Sequence, residues 1–139
     1  MAKKILVVDD DKDLCDLICD ILSDEDFDVS KAYDGNSALM KLMQEHFDIM
    51  IIDNKLGGMS GISVIEKTVC INPDLNKVMI SAYGTPETKE KARKIGVKDF
   101  IDKPFVITNL IDSIKKIAVT ISFLILTGNL SISFLYQVC

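Results

Sequence analysis

Residues 5–11, Ile5-Leu6-Val7-Val8-Asp9-Asp10-Asp11, decide the fold. Four apolar residues in unbroken succession, halted by three acids, suit a short strand covered on both faces, as in a parallel sheet. The pattern returns twice. Ile49-Met50-Ile51-Ile52 ends on Asp53, and Val78-Met79-Ile80 ends on Ser81. Weaker strand signals cover residues 27–32 and 97–102. Between the strands lie helical stripes: Leu14, Leu17, Ile18, Ile21 and Leu22; Ala38, Leu39, Leu42 and Met43; Ile62, Ile65 and Val69. Thr85-Pro86-Glu87 reads as an N-cap, a first-turn proline and an early acid opening a short polar helix that stops at Gly96. Ile107, Leu110, Ile111 and Ile114 form a last stripe, closed by Lys115 and Lys116 in keeping with the helix dipole. Strand and helix thus alternate five times. Such alternation predicts an α/β fold, a five-stranded parallel sheet with helices on both faces.

Composition narrows the function classes. The chain has 139 residues, 48% apolar and 27% charged, enough for one domain with a real core at about 150 residues per domain. Its net charge of −5 lacks the basic footprint of nucleic-acid binding, and no nucleic-acid partner is expected. His46 is the only histidine, so multi-histidine metal sites and polyhistidine catalysis are excluded. It closes an amphipathic stripe and reads as a solvated helix end. Cys15, Cys19, Cys70 and Cys139 contain no C-x-x-C pair, so they are expected to be reduced packing residues. The four-residue run after Lys4 is too short for a signal core, and a cytoplasmic location is expected. Charge is blocked along the chain. Residues 9–28 hold ten acids and one base, residues 89–98 are mostly basic, and residues 117–139 carry no charge. The basic block reads as a solvated helix face or a docking face.

In open parallel sheets, ligands bind beyond the carboxyl ends of the strands. That rule selects Asp9, Asp10, Asp53, Ser81 and the end of strand five near Lys103. Carboxylates from two strands converging on one edge repel each other, and at least one pKa should rise. A hard divalent cation relieves the repulsion, and all-oxygen donors favour Mg2+ over zinc. With Lys103 as a cation and Ser81 as a hydroxyl donor, the site suits a phosphoryl group taken up by a carboxylate. A plain helix cap is the alternative for an acid after a strand, and Asp11 or Asp13 fits that role. A flavin or nucleotide carrier on this fold would need a Gly-, Ser- or Thr-rich loop after strand one, where Asp9-Asp10-Asp11 would repel phosphate.

Val7-Val8-Asp9-Asp10, Ile51-Ile52-Asp53 with Gly58-Met59-Ser60-Gly61, Ile80-Ser81-Ala82 and Lys103-Pro104-Phe105 resemble the receiver domain of bacterial two-component response regulators. The motifs fall in unbroken order over residues 3 to about 118. The resemblance implies a flavodoxin-like doubly wound sheet of order 2-1-3-4-5. It implies a stand-alone phosphoacceptor rather than a turnover enzyme, catalysing only its own phosphorylation and slow self-hydrolysis. Asp53 matches the acceptor. Asp9, Asp10, Asp53 and the backbone carbonyl of Lys55 match the Mg2+ ligands. Ser81 and Lys103 match the groups that meet the phosphoryl oxygens, and Phe100 matches an aromatic switch, with ordinary core packing as the alternative. A cis bond before Pro104 is implied as well. The phosphoryl donor would be a histidine kinase or a histidine phosphotransfer protein, and the receiver would relay the phosphate or switch an unidentified output protein. Action as a phosphorylation-independent docking module is the rival. Gly57 stands where proline is frequent in the family, which predicts a more flexible loop. Lys55 and Tyr83 stand two residues after Asp53 and Ser81, at positions that overhang the acceptor in the family; a lysine and a tyrosine there look like the single-domain receiver of the sporulation phosphorelay, and the resemblance implies a long-lived acyl phosphate.

The receiver pattern fills residues 1–118 and leaves residues 119–139 as an apolar tail. Ile121, Phe123 and Ile125 alternate with polar neighbours, as do Ile132, Phe134 and Tyr136, around Thr127-Gly128-Asn129. That period of two favours a β-hairpin. Extension of the last helix and a membrane-spanning segment that tethers the receiver are the other readings. An uncovered apolar tail predicts self-association as a homodimer.

Overall fold

The computed structural model describes residues 2–82 and 84–128. Five parallel strands, β1 (Lys4–Val8), β2 (Asp28–Ala32), β3 (Ile49–Asp53), β6 (Asn76–Ser81) and β7 (Val97–Asp102), form one sheet in the order β2-β1-β3-β6-β7. Counted among these five alone, the order is 2-1-3-4-5, as the resemblance implied. Helices α1 (Lys12–Asp24), α2 (Gly35–Gln44), α3 (Gly61–Thr68), α4 (Pro86–Lys94) and α5 (Ile107–Thr127) connect the strands and follow the last one.

The strands are apolar throughout because each face has its own cover. Leu6, Val8, Met50, Ile52 and Met79 point to one side and pack with Ala38, Leu42, Val64 and Ile65 of α2 and α3. Their neighbours Ile5, Val7, Ile49, Ile51, Val78 and Ile80 point to the other and pack with Cys15, Ile18 and Leu22 of α1 and Leu110 and Ile114 of α5. Successive residues of a strand face opposite ways, so an unbroken apolar run serves two cores. The helix starts follow local chemistry. Asp11, Asp34, Ser60 and Thr85 each accept a backbone N–H three residues on, filling donors that the first turn leaves open.

Three features differ from the expectations. First, β4 (Lys55–Leu56) and β5 (Met59–Ser60) form a small antiparallel hairpin after β3. Gly57 at its turn has φ +71°, a left-handed conformation that glycine takes without steric cost. Second, α5 runs through Thr127, across the expected boundary at residue 118, so the first arm of the expected tail hairpin is helix instead. Ile117, Ala118 and Ile121 pack on the core beneath α1 and α5, extending the stripe of Leu110 and Ile114, and this burial overrides the two-residue alternation. The Thr127-Gly128 turn signal is the end of that helix, where Gly128 (φ +71°) caps it through the carbonyls of Leu124 and Ile125, a helix-ending role glycine commonly takes. The second arm of the expected hairpin lies outside the described residues. Among those described, no helix is long and apolar enough to cross a membrane. Third, Cys15 and Cys19 are buried and free as expected, but Cys70 is disulfide-bonded.

Candidate functional site

Strand register assembles the site. Val8 pairs with Ile52, so Asp9 and Asp53 leave neighbouring strands at the same level. Asp53 pairs with Ile80, and Ser81 with Asp102. Ser81 and Lys103 therefore sit one step beyond, at the same carboxyl edge. The Lys103 backbone N–H donates to the Ser81 carbonyl at 2.8 Å, and the Lys103-Pro104 bond is cis.

At this edge carboxylate oxygens of Asp9, Asp10 and Asp53 lie within 4.8 Å of one another. Asp9 and Asp53 are buried, whereas Asp10 is exposed. Lys103 reaches in with its Nζ 2.6 Å from Asp53 Oδ2 and 3.4 Å from Asp9 Oδ2. The other Asp53 oxygen, Oδ1, accepts the Lys55 backbone N–H at 3.0 Å, and Asp9 Oδ1 accepts that of Asp11 at 2.9 Å. Burial pushes the Asp9 carboxyl above its ordinary range, and the Asp53 charge adds to the push, against the Asp11 N–H and Lys103. For Lys103, burial pulls downward but is outweighed by the hydrogen bond and charge of Asp53 and the charge of Asp9, so the ammonium is held above its usual range. Lys103 thus pairs with two of the three clustered acids, and three formal negative charges stand against its one positive charge.

This donor set fits a hard cation. It offers only oxygens, closely spaced, with negative charge that the protein leaves uncompensated, the preference of Mg2+ rather than of zinc. Ser81 is buried at the end of β6. Phe100 is half-buried on β7 against the α2–α3 side of the sheet, with the Lys89 ammonium 5.2 Å from its ring centroid. Lys89 also pairs with Asp102 at 2.9 Å. Tyr83 lies outside the described residues. Asp11 caps α1, as one of the two readings for it held, and the exposed His46 is 3.4 Å from Asp48 rather than near the acids.

Two glycines and an asparagine complete the site without having been singled out as site residues. Gly61 donates its N–H to the Asn54 carbonyl at 2.8 Å. A Cβ there would stand 2.5 Å from the Asp53 carbonyl oxygen and 2.9 Å from Asn54 Cα. The start of α3 is thereby laid directly on the backbone that carries Asp53. Asn54 adds a side-chain tie, its Oδ1 accepting the Ile62 N–H at 3.4 Å. Gly84 lies against Phe100, where a Cβ would come within 2.6 Å of the ring. Gly61 stood within the quoted Gly58-Met59-Ser60-Gly61 motif, and no sequence signal marked Gly84.

A family model described as the response regulator receiver domain matches residues 5–115. The chain belongs to that family. The receiver is 30% identical over 112 residues to the transcriptional regulatory protein ZraR of Salmonella typhimurium, covering 81% of this chain and 25% of that protein. It thus spans about a quarter of that relative's length. It is 28% identical to sporulation initiation phosphotransferase F of Bacillus subtilis, over 84% of this chain and 94% of that one. Among solved structures it is similar to the response regulator TrrA of Thermotoga maritima in complex with Mg(2+)-BeF, at 26% identity and a TM-score of 0.74, covering 83% of this chain and 98% of that one. Receivers of this family are phosphoacceptor signalling modules that bind Mg2+ at an acidic pocket and interact with histidine kinases or phosphotransfer proteins.

Proposed function

We propose that this receiver accepts a phosphoryl group on Asp53 from a histidine kinase or histidine phosphotransfer protein and passes it on or uses it to switch an output partner. The observation that carries the reading is the Lys103 ammonium 2.6 Å from Asp53 beside two further carboxylates. A carboxylate oxygen of Asp53 attacks phosphorus in line, the P–N bond to the donor imidazole breaks, and an acyl phosphate forms. Lys103 sits where it meets the equatorial oxygens as charge gathers on them. The Ser81 hydroxyl, at the end of the neighbouring strand, donates to one of those oxygens once the group is in place. Asp9, Asp10, Asp53 and the Lys55 backbone carbonyl would hold Mg2+, which supplies charge neutralisation between the acceptor and the incoming phosphoryl group.

Phe100 has a role in readout. It is neither sealed in the core nor free in solvent, and it is bounded by Gly84 and Lys89. A shift of Ser81 toward the phosphoryl group would free space for the ring to turn inward. Lys55 and Tyr83, two residues beyond Asp53 and Ser81, would govern the access of water to the acyl phosphate. The near full-length similarity to sporulation initiation phosphotransferase F favours a relay.

Incubation of the full chain with acetyl phosphate and Mg2+, followed by intact-mass measurement, tests the assignment. Wild type gains one phosphoryl mass, and Asp53→Asn gains none. An adduct of the same size on Asp53→Asn, or none on wild type, overturns it.

A further inference from the structure

At the opposite edge of the sheet, below the amino ends of β6 and β7, the structure has a groove of about 1030 Å³. One wall is the outer half of α5, with Ile117, Ile121 and Leu124, and the facing wall includes Val69, Leu75 and Ile95. Lys77 also lines the groove, with only 6% of the residue exposed. We propose that this groove binds a single-chain amphiphilic anion, a long-chain carboxylate, with its head on the Lys77 ammonium and its alkyl chain along α5.

The charge pattern carries the assignment. A buried cation is ordinarily paired, because the hydration it gives up has to be replaced. Among the described residues the Lys77 ammonium has neither an ion pair nor a hydrogen bond. A slip in register brings a second cation to it. Lys77 lies opposite Val97 and Val78 opposite Asp99, which leaves Lys98 as an extra residue of β7. Such a bulge re-aims side chains, and the Lys98 charge joins burial in pushing the Lys77 pKa down. The exposed Lys94 and Lys116 line the same groove, and neither they nor Lys98 enter an ion pair among the described residues. The acids of the groove are turned to other partners. Asp48 accepts the Lys4 backbone N–H and lies beside His46, Glu66 faces Lys91 at 3.9 Å, and the charge that acts on Asp74 is that of His46. An anionic ligand supplies what these acids do not. Its shape follows from depth. A Cβ on Gly96 would stand 3.6 Å from Lys77 Nζ, so the ammonium lies beneath the turn into β7, where a slender head group fits and a folded protein surface does not. The apolar walls take the rest: Ile117 to Leu124 offers about 10 Å of helix to an alkyl chain. Small-molecule sites of roughly 300–1,000 Å³ have this make-up, mostly apolar with a few polar groups that fix orientation.

Decanoate and decanol share the alkyl chain and differ in the charge of the head, so their ratio isolates the role of Lys77. Both are titrated below their aggregation limits into the full chain, followed by amide chemical shifts in nuclear magnetic resonance. The expected result is decanoate binding at least tenfold tighter than decanol, with the largest shifts at Lys77, Ile95 and Ile121. In Lys77→Met the two are expected to bind alike. No binding of decanoate, equal affinities in wild type, or a preference for decanoate that survives Lys77→Met overturns the proposal. Should Lys77→Met fail to fold, the wild-type ratio and the place of the shifts decide, and shifts centred on the Asp53 end of the strands overturn it. Phosphatidylglycerol vesicles distinguish a membrane lipid from a free carboxylate: capture by vesicles without binding of decanoate overturns the proposal as well.

Discussion

Replacing Lys103 by methionine removes one charge and keeps most of the stem. At an effective permittivity of about 20, unit charges at the observed 2.6 and 3.4 Å attract by roughly 6 and 5 kcal/mol. Most of that is offset by the hydration that the lysine and the two carboxylates gave up on burial. Breaking a buried pair from one side costs about 3–5 kcal/mol, and the 21% exposure of the Lys103 side chain places this case at the low end, about 3 kcal/mol. With a urea slope of about 2 kcal/mol per molar, the unfolding midpoint falls by about 1.5 M. The direction of rescue is more specific than the loss. Asp53→Asn in the Lys103→Met background removes the orphaned charge, so the double variant is more stable than the sum of the single losses by about 1 kcal/mol or more. Mg2+ provides a second rescue, because a dication among Asp9, Asp10 and Asp53 replaces the missing ammonium. Free Mg2+ at tenfold its dissociation constant stabilises by about 1.4 kcal/mol. Urea melts of the four proteins, with and without Mg2+, measure all of this. An unchanged midpoint in Lys103→Met, or strict additivity with Asp53→Asn, refutes the picture of one lysine holding an overcharged acidic cluster.

Other outcomes follow from the same coordinates. Gly61→Ala forces a Cβ to within 2.5 Å of the Asp53 carbonyl, where only backbone could yield; a stability loss of about 1–3 kcal/mol and slower phosphoryl uptake are expected in urea melts and intact-mass time courses. Lys77, only 6% exposed, has its pKa pushed down by burial and then by the charge of Lys98. The folded state therefore binds the proton less tightly than the unfolded chain, and the penalty is present at neutral pH and fades as pH rises through the folded pKa. Lys77→Met should raise the melting temperature at pH 7, with the advantage shrinking toward about pH 10.4, the ordinary lysine value; an unchanged or growing advantage at high pH contradicts the assignment. A radiolabelled phosphoryl group on purified protein is expected to persist for minutes or longer, and loss within seconds rules out shielding by Lys55 and Tyr83.

The parts of the molecule that could be read from sequence share a physical cause. Strands β1, β3 and β6 were visible because burial on both faces leaves an unbroken apolar run, and few other structures need one. The site was visible through the ends of the same runs: parallel strands put their carboxyl ends on one edge, so Asp9, Asp53 and Ser81 had to converge once the sheet was assigned. The hairpin of β4 and β5 was hidden because two-residue strands are too short for any periodicity, and only the left-handed turn at Gly57 betrays them. The outer half of α5 carried two superposed patterns. Ile121, Phe123 and Ile125 alternate as in a strand, while Leu110, Ile114, Ile117 and Ile121 recur as on a helix face. Local preference could not choose between them, because the choice depends on what lies beneath, and Ile117 and Ile121 find the core of α1 and α5 there. Gly61 and Gly84 were opaque for a related reason. Each is required by an approach of backbone or ring from a distant part of the chain, which leaves no repeat in the sequence. The proposed acceptor chemistry rests on residues that sequence position exposes, whereas the close laying of α3 on the Asp53 backbone and the space around Phe100 rest on contacts that only the folded chain brings together.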